Sequence, residues 1–353
     1  MKKVIITIMI LALLVSIVFM GLSCKKVTTA SDSSETAEAS SSKGLLYYMQ
    51  FDLINGFNIG SGQYMEKFGK EAGFDIKLLN AQGKSDTQVN QMDTAISQKP
   101  KAIIIKPVDA ATITASVDKA RAAGIPVISY DGTITDTKVD FHSVVGTVKM
   151  GKMAAEECVK ILKEKNGSEK GKVLQIMGDL GDMYSVLIDQ GFKEEIGKYP
   201  NINVITKDTP GWEQTVTANV ASDQLTANKD IDIIFIHADS RVPGIVPVLE
   251  EKGYKQDDIK IIGTDGDPSA LQMIKDGWIY ETIGVPMVQQ VYGVFQFIDK
   301  VIAKEELKPG NYDVKGVQAE LKVEEWGPTL YLPGEIITKQ NVDDPGLWGN
   351  IKQ

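Results

Sequence analysis

Residues 103–132 read IIIKPVDAATITASVDKARAAGIPVISYDG, and residues 233–266 read IIFIHADSRVPGIVPVLEEKGYKQDDIKIIGTDG. Both follow one pattern. A short β-branched run ends in a polar segment with an aspartate (Asp109, Asp239). An amphipathic helical segment follows, then a second apolar run closing on Asp-Gly (Asp131-Gly132, Asp265-Gly266). Apolar runs alternating with helical periodicity imply βαβ units and a parallel sheet. In such sheets ligands bind beyond the carboxyl ends of the strands, where all four aspartates fall. Two copies of the unit point to a two-lobed clamp lined with hydrogen-bond acceptors.

Working outward, 353 residues suffice for two domains. The composition, 43% apolar and 24% charged, is that of a globular protein. A formal charge of −9 and the absence of basic runs exclude a nucleic-acid surface. The start is a separate object. Lys2 and Lys3 precede the apolar run Val4–Met20, then Gly21-Leu22-Ser23-Cys24, the layout of a secretory signal over residues 1–23. With Cys24 following at once, the segment resembles the bacterial lipoprotein signal, which implies a lipidated Cys24 anchoring the protein in the periplasm or at the cell surface. Gly21 and Leu22 depart from the usual pattern, and an uncleaved anchor is the alternative. Residues 25–43 are rich in Ser, Thr, Ala and Glu and read as a tether. The other cysteine, Cys158, has no partner for an internal disulfide.

Apolar runs predict strands at 45–50, 74–79, 102–105, 127–130 and 140–145, and a second series at 172–177, 202–207, 231–237, 260–264 and 280–285. Helical periodicity fills the gaps, with Gly or Pro at most helix-to-strand joints. The expected fold is α/β, with two doubly wound, Rossmann-like parallel-sheet lobes joined by a three-crossover hinge. The tail 305–353 holds further apolar pieces, Gly316–Val323 and Glu335–Thr338, expected to return across the hinge.

Strand ends VISYDG and IIGTDG, set among ten strands behind a lipoprotein-type signal, resemble the periplasmic sugar-binding proteins of ABC importers, the ribose- and galactose-binding type. That resemblance spans 44–338. It implies lobes of 44–145 plus 286–331 and 146–285 plus 332–353, with crossings near Val144–Thr147, Gly284–Pro286 and Leu330–Gly334. It also implies a monomer without cofactor or metal that closes on a monosaccharide or polyol and delivers it to the transmembrane permease subunits. A sensory protein passing a sugar-like signal to a membrane receptor is the alternative.

The chemistry asked of such a site is specific. Carboxylates suit hydroxyl donors, and aromatic rings cover the C–H faces of a sugar. By the resemblance, the contacts are Asn55 and Phe57 after the first strand, Asp131 and Asp265 as matched jaws, Trp212 as the wall of the second lobe, and Asp239 in a ligand loop. Gly132 stands where the family often has arginine and Ala238 where asparagine is common. No arginine lies in 178–185, where the family often has one. Of only two arginines, Arg121 sits among alanines on a helix, whereas Arg241 lies at a strand-to-helix turn. Its planar donor set makes it the expected ligand clamp, with a salt bridge to Asp239 as the plainer role. Asp109 reads as a helix cap and Asp267 as a competitor of Asp265 for capping. Gln289 and Gln290 stand within reach of ligand or hinge. His142 and His237 lack metal-ligand spacing, and no nucleophile motif occurs, so an enzyme is not expected.

Overall fold

The computed structural model describes residues 42–54 and 56–351. The signal segment, Cys24, the tether up to Ser41, and Asn55 lie outside the described residues.

Two sheets organise the chain. The first contains β1 (Leu45–Gln50), β2 (Asp75–Asn80), β3 (Ala102–Ile105), β4 (Val127–Tyr130) and β5 (Phe141–Val145). They lie in the order β2-β1-β3-β4-β5, all pairs parallel. The second contains β6 (Gly171–Ile176), β7 (Ile202–Lys207), β8 (Ile233–Ile236), β9 (Lys260–Asp265) and β10 (Glu281–Gly284). Their order, β7-β6-β8-β9-β10, repeats that of the first sheet strand for strand. The doubled sequence unit is therefore a doubled topology.

Helices cover both faces of each sheet, which is why the strands read as unbroken apolar runs. Successive residues alternate between two cores. Leu46 and Tyr48 join the core on one face of the first sheet, Tyr47 and Met49 that on the other. Likewise Ile233 and Phe235 face one way in the second sheet, Ile234 and Ile236 the other. The helices used below are α1 (Gly56–Glu71), α2 (Ser85–Gln98), α3 (Thr114–Ala122), α4 (Thr147–Asn166), α5 (Met183–Ile196), α6 (Gln214–Ala227), α7 (Val242–Glu251), α8 (Pro268–Asp276) and α9 (Met287–Ile302). Asp182 caps α5 by accepting from the Tyr184 N–H at 2.9 Å, and Asp267 caps α8 by accepting from Ala270 at 2.8 Å. Gly167 ends α4 in the left-handed conformation.

The chain crosses between the sheets three times: from β5 into α4, from β10 into α9, and from β13 (Gly327–Leu332) into β14 (Glu335–Ile337). The tail is richer than its two apolar pieces indicate. β11 (Gly310–Val314), β12 (Val317–Glu324) and β13 form an antiparallel ribbon, and β13 joins β5 in parallel. Only β14, antiparallel to β10, belongs to the second sheet. Arg121 also differs from a purely solvated residue: its Nε pairs with Asp140 at 3.1 Å.

Candidate functional site

In each sheet the strand order reverses between the first strand and its neighbour, at β1/β3 and at β6/β8. Loops leaving these strands diverge there and open a crevice. The two crevices face one another, forming a single cleft lined by Phe51, Asp52, Phe57, Asn58 and Asp131 from the first lobe. From the second come Asp182, Tyr184, Trp212, His237, Ala238, Ser240, Arg241, Asp265 and Asp267.

Asp131 follows β4 at a left-handed φ of 63°, a conformation that costs a non-glycine residue energy and is kept where the surroundings impose it. Its Oδ2 meets Lys106 Nζ at 2.6 Å, and its Oδ1 accepts from Gln290 Nε2 at 3.1 Å. Lys106 also donates to Asn58 Oδ1 at 2.8 Å and lies 4.7 Å from the centre of the Phe57 ring. Burial pulls the Lys106 ammonium down, but Asp131, Asp182 and Asp265 outweigh it and leave its pKa above the usual value. Asp52 accepts from the Ile54 N–H at 3.1 Å and from Asn58 at 2.8 Å. One lobe thus offers a cation and an acid fixed to each other beside a ring.

Asp265 holds the corresponding place at the end of β9, again at positive φ, 108°. Because Asp267 caps α8, the Asp265 carboxylate is left for the cleft, where Tyr184 donates to its Oδ1 at 2.8 Å. Burial pushes the Asp265 carboxyl well up, Tyr184 opposes, and the Asp267 and Asp131 charges add to the rise. Burial likewise lifts Asp182 to about 6 against the pull of Lys106. Carboxyls that keep a proton donate as well as accept, so the cleft can match hydroxyls in either sense. His237 is held neutral, pushed down to about 3 by burial, between Ser185 and Gln175.

Trp212, itself at φ 55°, is the aromatic wall. It packs on Phe51, Ala81 and Val108 of the first lobe, so the wall of one lobe rests on the other. Gly178 makes room for it, since a Cβ there would fall 2.0 Å from the indole. Arg241 lines the cleft half-buried and, among the described residues, forms no ion pair; its buried Nε has no hydrogen-bond partner. Burial lowers its pKa, opposed by Asp52, Asp265, Glu213 and Asp267.

Of the sequence candidates, Phe57, Asp131, Trp212, Arg241 and Asp265 are brought together. Asp239 is not on the cleft wall. It is fully buried, and its Oδ2 accepts from the Gly266 N–H and the Thr282 hydroxyl, each at 2.7 Å. It braces the Asp265-Gly266 turn from beneath instead of meeting a ligand or Arg241. Asp109 accepts from the Thr112 N–H at 2.6 Å, a turn ahead of α3. Sequence reading passed over Lys106, Asn58, Asp182 and Tyr184. Lys106 sits just beyond the end of β3, the position that singled out the aspartates, whereas Asp182 lies at the far end of the loop after β6, capping α5. No group of three or more His, Cys, Asp or Glu side chains among the described residues could hold a metal.

Two repeated α/β lobes, three hinge strands and a shared polar cleft with aromatic walls define a bilobal solute-binding protein. The periplasmic binding protein domain model matches residues 48–306, so the chain belongs to that family. The ribose import binding protein of Bacillus subtilis is 28% identical over 274 residues, 77% of this chain and 84% of the relative. A xylitol-binding protein of Mycolicibacterium smegmatis is 26% identical over 253 residues, 70% of this chain and 69% of the relative. Among solved structures, an Agrobacterium radiobacter carbohydrate-transporter solute-binding protein in complex with D-arabinose superposes with a TM-score of 0.75 at 22% identity. It covers 88% of this chain and 99% of its own. A Bacillus halodurans ABC-transporter solute-binding protein with bound myo-inositol reaches 0.73 at 21%, covering 87% and 99%. Membership makes this an extracytoplasmic binding protein rather than an enzyme. No helix among the described residues is long and apolar enough to cross a membrane.

Proposed function

We propose that the protein binds a monosaccharide or small polyol between its lobes and delivers it to an ABC permease by hinge closure. The observation that carries this is the pairing of two strand-end acids across one cleft, Asp131 with Lys106 and Asp265 with Tyr184, between the Phe57 and Trp212 rings. Acids serve the hydroxyls, rings the C–H faces, and Arg241 brings the unpaired donors. Asn55, two positions before Phe57 in the sequence, is proposed as a further polar contact. The named ligands of the relatives, ribose, D-apiose and xylitol, are small and polyhydroxylated, as the cleft chemistry requires.

Closure does the work: one lobe captures the ligand, the other completes its hydrogen bonds, and the closed shape is read by the permease. Leu53 and Ile54, next in sequence to the cleft residues Phe51 and Asp52, and Leu180, two residues before Asp182, are exposed and suit that contact. A lipidated Cys24 holds the protein at the membrane, with the Ser-rich segment 25–43 standing between that anchor and the folded monomer.

Thermal melting of the purified protein against ribose, arabinose, apiose, glucose, galactose, xylitol and myo-inositol tests the reading. A ligand at 100 times its dissociation constant adds about 2.7 kcal/mol and raises the melting temperature visibly. A flat response to every pentose, hexose and polyol at millimolar concentration refutes it.

A further inference from the structure

The tail beyond β14 ends in a short turn, Trp348–Asn350, laid over the Asp265-Gly266 strand end. Trp348 Nε1 donates to the carbonyl oxygen of Asp265 at 2.8 Å. Gly349 presses so closely on that turn that a Cβ there would lie 2.5 Å from the Gly266 carbonyl oxygen. The tail is anchored in the second lobe through Val342 and Leu347, buried in its core, and is folded on itself by Asn350, which donates to Val342 and Asp344 at 2.8 Å each. The other side of the indole meets the first lobe. Its ring stands edge-on to Phe57, centroids 5.7 Å apart at 86°, an arrangement in which aromatic rings attract. Both rings are nearly buried, Phe57 8% and Trp348 5% exposed.

We infer that Trp348 is a positioning residue for ligand capture: it holds the Asp265 turn from behind and latches the second lobe to Phe57 when the lobes close. The two contacts belong to different stages. Asp265 and Trp348 sit on one lobe, so their hydrogen bond persists in the open form and keeps Asp265 at its left-handed φ of 108°, ready for ligand. Phe57 travels with the first lobe, so opening separates the rings and wets both. That loss favours the closed state only, and a contact made in one state alone shifts the balance between them. The same Phe57 lines the cleft, so one ring serves both ligand and latch.

The latch rests on the hinge-closing reading of the cleft but not on the ligand being a sugar. Small-angle scattering of the unliganded full chain, wild type against Trp348→Leu and Phe57→Leu, tests it directly. Both variants are expected to have a larger radius of gyration than wild type, and the double variant no larger than either, because one contact is lost in all three. Phe57→Leu leaves the tail intact, so a misfolded tail in Trp348→Leu cannot account for agreement between them. The positioning role is read by titrating D-ribose, D-arabinose, xylitol and myo-inositol. Trp348→Phe keeps a ring against Phe57 but removes the N–H, and is expected to keep the wild-type radius while binding the best of the four at least fivefold more weakly. Wild-type scattering from both leucine variants overturns the latch, and wild-type affinity in Trp348→Phe overturns the positioning role. Failure of all four compounds to bind wild type counts against the sugar reading and leaves the scattering result standing.

Discussion

At the scale of single residues, the cleft is organised by buried charges whose partners are fixed before any ligand arrives. Lys106 and Asp131 are the tightest of these, 12% and 6% exposed at 2.6 Å. Lys106→Met leaves the buried Asp131 without its cation, and removing one partner of such a pair costs about 3–5 kcal/mol. Urea denaturation should show that loss in full, whereas Asp131→Asn, which leaves Lys106 with Asn58, should cost clearly less. Arg241 is the opposite case, a half-buried cation without an ion-pair partner among the described residues. Arg241→Lys should leave stability near wild type but weaken ligand binding at least tenfold, about 1.4 kcal/mol, by titration calorimetry. Asp182 supplies one pH dependence. Its pKa is about 6 in the folded protein against 3.8 ordinarily, so the folded state retains a proton that the unfolded chain has released. The contribution is therefore complete below about pH 4 and lost as pH rises to about 6. Asp182→Asn should remove that slope: the melting temperature of the variant relative to wild type rises across this interval, and parallel profiles would contradict it.

At the scale of elements, strands and helices up to residue 303 were legible because their signals are local. Runs such as AIII, buried on both faces, a Gly at the end of α4 and an Asp ahead of α8 each act within a few residues. The ribbon β11–β12–β13 was legible only as scattered apolar pieces. Its strands show the alternation of a sheet with one wet face, and the parallel pairing of β13 to β5 joins Leu330 to Ser143, a closure no local pattern encodes. The site divides the same way. A strand end marked Asp131 and Asp265 correctly as strand-end acids, but gave Asp239 the same mark. Only the non-local bonds from Gly266 and Thr282 show that its carboxylate turns inward. Lys106 escaped notice because its meaning lies in Asp131, 25 residues on, rather than in its neighbours. The loop between β6 and α5 shows what an element contributes to the wall. Gly178→Ala puts a methyl 2.0 Å from Trp212, so the indole must leave its seat on Phe51, Ala81 and Val108. Ligand affinity should fall at least tenfold while the melting temperature, set by the two cores, falls little and far-ultraviolet circular dichroism stays unchanged; unchanged affinity would show that the wall tolerates displacement.

At the scale of the whole molecule, the lobes are joined at three crossings, and the contacts across the cleft fit the closed state of the proposed clamp. Besides Trp212 and the Phe57–Trp348 pair, the loops at the mouth touch: a Cβ at Gly181 of the second lobe would lie 2.7 Å from Asp109 Oδ2 and 3.6 Å from its Cγ. A disulfide needs Cβ atoms about 3.5–4.5 Å apart; the Asp109 Cγ, one bond beyond its Cβ, stands at 3.6 Å, so two cysteines here meet through a small shift of the mouth loops while the lobes are shut. In Asp109→Cys/Gly181→Cys, with Cys24 replaced by serine, oxidation should therefore lock the clamp. Cys158 is fully buried and does not compete. If capture requires opening, the oxidised protein takes up no ligand when sugar is added afterwards, and ligand trapped before oxidation fails to exchange with labelled sugar over hours. Dithiothreitol restores both. Free exchange in the oxidised, non-reducing-gel-verified form would mean that ligand reaches the cleft without lobe motion, and hinge closure would then have no part in binding.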